Sequence, residues 1–321
     1  MNIGAIQLLY GYNKWANAQL WRCMETLKAS QFTQAHPYSL QSVQRHLVHM
    51  ASVDARWFAR VRGIAEPAIL QAEDFPTKLD VWRMWDVVYD ELWYALQMLT
   101  DEHLHATFSY SSRGVERQTY GWQILLHVLN HNTDHRAQIL YLLHQMGLPT
   151  FEQDFIYYLR EVVPSRQGVH VELPPLLSLM NYDRYGIHRL LTESLATLSD
   201  AQLDEDRGYS IPTVRGQLAH LLHAQGYWLS KLSHQPQHET LRGGHTSIYE
   251  YVAQLTNDQL MQPFEYTTAS GLRVANVRWE ILWQVINHGT DHRAQVLAFL
   301  HPLQAPTFEQ DYMIYLWEAN D

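Results

Sequence analysis

The sequence contains only one cysteine, Cys23, among 321 residues. A single thiol can form no disulfide within the chain, and it excludes a metal site built from several cysteines. Because Cys23 lies in an apolar helical stretch, we interpret it as a packing residue and not as a nucleophile.

Long apolar runs and an excess of positive charge are also missing. No window approaches the roughly 20 uninterrupted apolar residues of a membrane span. The N-terminus lacks the basic start and apolar run of a signal peptide. The formal net charge is −10, whereas a surface that binds nucleic acid is basic. We therefore expect a cytoplasmic protein that binds neither membranes nor nucleic acid.

What the sequence does contain is a tandem repeat. Residues 131–138 read HNTDHRAQ and residues 288–295 read HGTDHRAQ, a separation of 288 − 131 = 157 positions. A chain of 321 residues is long enough for two cores of ordinary size. We predict one domain at residues 1–163 and a second at residues 174–321, joined by a linker at about 164–173.

Helical periodicity dominates both repeats. In the first repeat it predicts long helices in the opening residues and at about 42–62, 77–99 and 121–146, a short hairpin or loop at 108–120, and a shorter helix at 151–161. The second repeat predicts helices at 176–195, 214–232, 246–260 and 276–300, a hairpin at 266–274, and a short helix at 308–318. The predicted fold is all-α: two tandem four-helix bundles, each with a short hairpin or loop before its fourth helix.

Nineteen histidines are too many to treat each as functional, so the two repeats serve as a comparison. Histidines without a histidine counterpart are set aside, which removes His46, His127 and His223. Aligning Trp57 with Trp228 pairs one histidine on each second helix, since 57 − 49 = 228 − 220 = 8. The candidate metal ligands are the recurring histidines of the second helix and of the HxTDHRAQ motif: His49, His131 and His135, and His220, His288 and His292.

The spacing of these histidines suggests a metal site in each repeat. Four residues are about 1.1 helical turns, so the two imidazoles of each pair on the fourth helix leave the same face. Three neutral imidazoles inside a bundle can hold a divalent ion and leave positions open, which is the geometry of a catalytic site. Two alternatives stay open: hydrogen-bonded core histidines, and similarity inherited from a recent duplication.

Other shared residues are interpreted as supporting groups. Asp134 and Asp291 could orient an imidazole or accept a proton. Each precedes a ligand histidine by one residue and so points about 100° away from it around the helix, which favours a salt bridge at least as much. Arg136 and Arg293 suggest ion pairs, with an anion-binding role as the alternative. The remaining shared acids are interpreted as caps and ion pairs where the last segment docks: Glu152, Asp154, Glu309 and Asp311.

At this point the motifs resemble a known family. YNKWAN (12–17), HLVHMASVDARWF (46–58) and LNHNTDHRAQIL (129–140) are similar to the DinB-like (DinB/YfiT) superfamily of metalloenzymes. The family pattern is a histidine about eight residues before an aromatic on the second helix, followed by NHxxxHR on the fourth. The second repeat matches more loosely, with YDRY (182–185), and with Gly186 in place of an alanine.

The resemblance implies a four-helix bundle with an unusual crossover connection and one divalent metal held by three histidines. Carried over to this chain, those ligands are the six histidines named above. Members of the family commonly dimerise, so the resemblance also implies that the two repeats pack as an intramolecular pseudo-dimer. Relatives include transferases that use low-molecular-weight thiols and a thiol-dependent maleylpyruvate isomerase, so a fold match does not by itself settle the chemistry.

The leading hypothesis is therefore a metal-dependent enzyme, with transfer of a small thiol as its reaction and zinc or nickel as the favoured ion. Imidazole ligands also suit iron and copper. The alternatives are a metal-dependent hydrolase and a non-catalytic bundle that binds a metal or a small molecule. A di-iron carboxylate site is disfavoured, because its paired ExxH motifs are absent and the one ExxH, Glu102–His105, lies between helices.

Overall fold

The computed structural model describes residues 1–233, 247–268 and 271–319. In the first repeat the elements are α1 (Ile3–Cys23), α2 (Ala29–Phe32), α3 (Val43–Val61), α4 (Lys78–Met98), α5 (Asp101–His105), β1 (Thr107–Ser112), β2 (Val115–Tyr120), α6 (Gly121–Gln145) and α7 (Phe155–Glu161). In the second repeat they are α8 (Leu173–Arg189), α9 (Asp200–Leu203), α10 (Val214–Ser233), α11 (Ile248–Ala253), α12 (Asn257–Leu260), β3 (Pro263–Thr267), β4 (Arg273–Val277), α13 (Arg278–Leu300) and α14 (Tyr312–Glu318).

The chain forms two compact units whose segments alternate along the sequence. The N-terminal unit comprises Asn2–Glu152, Ser165–Val169 and Asp311–Asp321. The C-terminal unit comprises Met1, Gln153–Pro164 and His170–Gln310. The last short helix of each repeat therefore belongs to the unit built by the other repeat, so that α14 packs on α6 and α7 packs on α13.

Helix α6 is the central element of the N-terminal unit. It contacts α1 and α3, and α3 in turn packs against α4. Nearly all of its residues are buried, from Ile124 to Leu143 on every side, as expected for a helix surrounded by other elements. A two-stranded antiparallel hairpin, with Thr107 opposite Tyr120, leads directly into α6. Most polar side chains of α6 are therefore expected to find partners inside the bundle.

Two glycines set the ends of α6. A Cβ atom at Gly121 would lie 2.0 Å from the backbone oxygen of His103, so no larger residue fits at the start of the helix. At the other end Gly147 has a φ of 73°, and its N–H donates to the carbonyl oxygen of His144. This left-handed glycine ends the helix, because a side chain is strained in that conformation.

The C-terminal unit repeats this plan around α13, but several of its helix bounds differ from those predicted. Helix α8 begins at Leu173, not at Leu176, because prolines are tolerated in a first turn, where N–H groups have no partner within the helix. The predicted single helix at 246–260 is wrong. Its first residue, Thr246, lies outside the described residues, and the rest forms α11 and α12, because Thr256 caps a new helix.

The same interruption occurs in the first repeat. There α4 ends at Met98 and the short helix α5 follows Thr100, so the break between the third helix and the hairpin belongs to the repeat and not to one copy. The second hairpin pairs Pro263 with Val277. Residues 269–270, which form part of the predicted hairpin, lie outside the described residues.

Each unit buries an arginine of its fourth long helix near a fully buried aspartate from another helix, but that helix differs between the units. In the C-terminal unit Arg293 donates to Asp183 on α8, and both side chains are fully buried. In the N-terminal unit the position equivalent to Asp183 is Asn13, which accepts from Arg136. The fully buried aspartate there is Asp54 on α3, whereas Asp134 on α6 itself is 8% exposed.

The groups around each carboxylate change with it. Asp54 accepts hydrogen bonds from Tyr89 (2.6 Å) and from Asn132 (2.8 and 2.9 Å). The C-terminal unit has Gln225 at the position of Asp54 and Gly289 at the position of Asn132. A Cβ atom at Gly289 would lie 2.2 Å from Asp183 Oδ1, so the glycine makes room for the relocated carboxylate.

The predicted fold class is confirmed. The described residues form helical bundles in two tandem halves, each with a two-stranded hairpin before its last long helix. Within those residues, no helix combines the length and the apolar character needed to span a membrane.

Candidate metal centres

The structure brings the six predicted histidines together in two groups of three. In the N-terminal unit His49 projects from α3 towards His131 and His135 on α6, and their ring nitrogens lie within 4.8 Å of one another. The Nε2 atoms of His49 and His131 are 3.1 Å apart, and the ring centroids of His131 and His135 are 4.3 Å apart. We call this group the first centre.

The second centre has the same geometry in the C-terminal unit. His220 projects from α10 towards His288 and His292 on α13, again with ring nitrogens within 4.8 Å of one another. The Nε2 atoms of His220 and His288 are 3.0 Å apart, and the ring centroids of His288 and His292 are 4.3 Å apart. The close agreement between two groups in separate units shows that the arrangement is built into the repeat.

A divalent ion fits this donor set. Two imidazole nitrogens bound to one tetrahedral ion at about 2.0–2.1 Å lie about 3.3 Å apart, close to the 3.0 and 3.1 Å observed for one pair in each centre. Within the described part of the chain, each centre contains three histidine, cysteine or acidic side chains and no fourth. Three ligands leave at least one position on an ion open.

Burial keeps the histidines of the first centre in the neutral form that binds metals. It lowers the pKa of His49 to about 4, with a smaller opposing effect of Asp311. Burial and the neighbouring histidines hold the pKa values of His131 and His135 well below the usual range. Each ring therefore has an unprotonated nitrogen at neutral pH, as metal binding requires.

The second centre differs at one ligand. Burial and the neighbouring His288 lower the pKa of His292. For His288, burial opposes the charged form, but the carboxylate of Asp154 outweighs it and raises the pKa. His288 Nδ1 lies 3.1 Å from Asp154 Oδ1, with the two side chains 15% and 20% exposed. A carboxylate behind a ligating imidazole is a common supporting contact at metal sites.

The position that precedes each second-helix ligand by three residues also supports its centre. In the N-terminal unit His46 Nδ1 lies 3.1 Å from His135 Nδ1. In the C-terminal unit Gln217 replaces this histidine, and its Oε1 lies 2.5 Å from His292 Nδ1. Neither residue belongs to a group of three ligands. Each one holds the second fourth-helix ligand of its centre in place, His135 or His292.

The supporting residues suggested by the sequence take several roles. Asp134 accepts from Gln138 on the next turn, and Asp291 accepts from Gln153. Asp311 caps α14 by accepting from two backbone N–H groups, as expected. Asp154 makes no side-chain cap on α7. Of the two predicted roles, cap and ion pair, Asp154 takes the second, because its carboxylate contacts His288.

Sequence comparison missed the contributions of Asp154 and His46. Asp154 recurs as Asp311 in the repeated PTFEQD motif, but the motif does not reveal which bundle its helix joins. His46 was set aside because its counterpart is Gln217, although both residues serve the same ring in their respective centres. Cys23 belongs to neither centre, and burial raises the pKa of its thiol.

A separate cavity opens between α1 and α4 in the N-terminal unit, with a volume of about 310 Å³. Six aromatic side chains line it, among them Trp21, Trp85 and Trp93. Two amide side chains that accept from Arg136, Asn13 and Asn17, form part of the lining. No histidine of the first centre lines this cavity, so the cavity and the centre are distinct features of the unit.

Comparison with known proteins agrees with this geometry. A model of the DinB family matches the chain twice, at residues 1–165 and at residues 186–321. Protein DinB of Bacillus subtilis (strain 168) is 26% identical over 160 residues, which cover 47% of this chain and 91% of that protein. DinB proteins form a metal-binding superfamily, consistent with the two histidine groups. The chain therefore belongs to the DinB family and carries two tandem copies of its domain.

Proposed function

We propose that each repeat binds one divalent metal ion through its three histidines, and that the protein is a metal-dependent enzyme that transfers a small thiol. The observation that carries the proposal is the set of three convergent imidazoles in each unit, with no fourth ligand in the described residues. Structural zinc sites normally have four protein ligands, whereas catalytic sites keep a position open.

Access to the centres supports a catalytic role. His49 and His220 are only partly buried, while the ligands on α6 lie deeper in the bundle. Solvent can therefore reach the second-helix histidine of each centre. An ion at such a position would lower the pKa of a thiol or a water molecule that reaches it.

The proposed thiol is a small-molecule substrate and not a side chain of this protein. Cys23 is 7% exposed and lies outside both centres, and its raised pKa makes it a poor nucleophile. The preference for a thiol rests on the resemblance to thiol-dependent relatives. We favour zinc or nickel as the ion, because both accept neutral imidazole ligands.

The first test is the metal content of the purified protein. We expect two ions per chain in the wild type and one in each of His131→Ala and His288→Ala. His105→Ala is the matched control, because His105 is exposed and belongs to neither centre, and it should retain two ions. Wild-type protein that binds no stoichiometric metal, or full loading of both ligand variants, would contradict the proposal.

A second test separates thiol transfer from the other functions. Protein loaded with cobalt is titrated with small thiols, and a new thiolate-to-metal absorption band is expected in the wild type. The band should persist in Cys23→Ala and lose about half its intensity in His131→Ala. Hydrolysis of esters or amides by the metal-loaded protein, without thiol binding, would favour a hydrolase. A bound metal that exchanges neither water nor thiol ligands would favour a non-catalytic role.

A further inference from the structure

The two centres share their histidine triads but differ in the group behind the second ligand. We propose that Asp154 is a positioning residue for His288. We also propose that the first centre is the weaker metal site, because no carboxylate among the described residues makes the equivalent contact with His131. This inference rests on the proposed function, because it concerns the affinity of the triads for a divalent ion. It assigns a role in the second repeat's centre to a residue of the first repeat.

The contact between Asp154 and His288 is built by α7. This helix belongs to the C-terminal unit, and the N–H of Ile156 in its first turn donates to Gln284 Oε1 at 3.0 Å. The preceding Gln153 accepts from Asn287 through its carbonyl oxygen, also at 3.0 Å. These bonds on either side of Asp154 hold its carboxylate against His288 Nδ1, at 3.1 Å.

The equivalent carboxylate in the N-terminal unit is directed elsewhere. Asp311 lies 3.3 Å from His127 Nδ1 and also accepts from the N–H groups of Met313 and Ile314. The position of His127 is occupied by Gln284 in the other repeat, since 284 − 127 = 157. Among the described residues, the buried Nδ1 atom of His131, the counterpart of His288, has no hydrogen-bond partner.

The chemistry of this difference favours the second centre. A carboxylate that accepts from the outer N–H of a ligating imidazole fixes the tautomer and the ring orientation and makes the inner nitrogen more basic. Loss of such a partner typically costs about 10–100-fold in metal affinity. His131 lacks this support, whereas His288 has it, so the two centres should differ by a factor in this range.

The experiment measures zinc affinity by competition with a chromogenic chelator, one centre at a time. His131→Ala leaves only the second centre, and His288→Ala leaves only the first. Asp154→Asn is then added to the His131→Ala protein, and Asp311→Asn is added to the His288→Ala protein. We expect Asp154→Asn to weaken the second centre about 10–100-fold, and Asp311→Asn to change the first centre much less, because Asp311 contacts His127, which is not one of the three ligands.

A reciprocal pair of variants tests the same point without removing either aspartate. His127→Gln gives the first repeat the residue that accompanies Asp154, and should strengthen the first centre about tenfold by releasing Asp311 towards His131. Gln284→His should weaken the second centre in its own background. This variant also keeps the inference testable if Asp154→Asn fails to fold, which circular dichroism of the metal-free protein would reveal.

The outcomes separate this inference from the proposed function. If neither single-centre protein binds zinc, the proposed function fails. If both bind zinc and Asp154→Asn changes nothing, or both asparagine variants weaken their centres equally, the triads stand and the role of Asp154 is refuted. Unchanged affinity in both His127→Gln and Gln284→His would equally overturn the inference.

Discussion

The fully buried pair of Arg293 and Asp183 offers a direct test of how each unit balances its internal charge. We predict that Asp183→Asn strongly destabilises the C-terminal unit. Arg293 would retain its bonds to Thr290 and Gln310, each at 3.1 Å, but lose the negative charge beside it. Removing one partner of a buried ion pair costs about 3–5 kcal/mol, because the other charge stays buried without compensation.

The expected shift in melting temperature follows from the size of the unit. For domains of 150–250 residues, 1 kcal/mol corresponds to roughly 2–4 °C, so the loss should be about 6–20 °C. Thermal unfolding is followed by circular dichroism with a chelator present, so that metal binding does not contribute. Glu193→Gln is the matched control, because it makes a similar change in an exposed arginine pair, which is worth about 0–1 kcal/mol.

The N-terminal unit suggests a rescue. The triple variant Asp183→Asn, Gln225→Asp and Gly289→Asn places the carboxylate on the second helix, as in the arrangement of Asp54, Asn13 and Asn132. We expect it to recover most of the lost stability. A loss below about 1 kcal/mol for the single variant, or a triple variant no more stable than the single one, would refute this account of the buried charge.

Three further predictions follow. Burial raises the pKa of Asp54 to about 7, although the hydrogen bonds that Asp54 accepts lower it. The folded state therefore binds the proton of Asp54 more tightly than the unfolded chain does. Raising the pH from 4 to 8 should then destabilise the wild type relative to Asp54→Asn by up to about 4 kcal/mol, measured by chemical unfolding. A pH-independent difference would contradict this. Gly186→Ala places a Cβ atom 2.8 Å from Arg293 Nε and should lower the stability by about 1–3 kcal/mol. The control is Ala16→Gly at the equivalent buried position of the first repeat, which creates no clash. Equal melting temperatures of Gly186→Ala and the wild type would refute the steric argument. Chelation should lower the melting temperature by removing about 2.7 kcal/mol of stabilisation at an ion concentration 100 times the Kd, and the effect should shrink when either triad is disrupted.

The long helices and the two histidine groups were predictable because their signals are local and repeated. An amphipathic period of 3.6 residues fixes helix α3 or α6 within a few positions. The spacing of His131 and His135 places both rings on one face whatever the rest of the fold does. Duplication then acts as a second observation, which separates these residues from His46, His127 and His223.

The remaining features depend on contacts between distant parts of the chain. Periodicity identifies α7 as a helix but does not indicate the bundle on which it packs, so the contact of Asp154 with His288 could not be derived. Comparison by residue type also hid a shared role, because His46 and Gln217 present different atoms to equivalent rings. The third helix of the second repeat was overextended because the cap at Thr256 lies within an otherwise continuous periodic pattern.

The alternation of segments also determines how this chain can be divided. Residues 153–164 belong with 170–310, while 2–152 belong with 165–169 and 311–321, so no single cut yields two fragments that each hold one complete unit. A fragment that ends at residue 163 would carry a helix of the other bundle and lack α14. An insertion or deletion that spans residues 153–169 therefore changes segments of both units at once, although the two repeats look independent in the linear sequence.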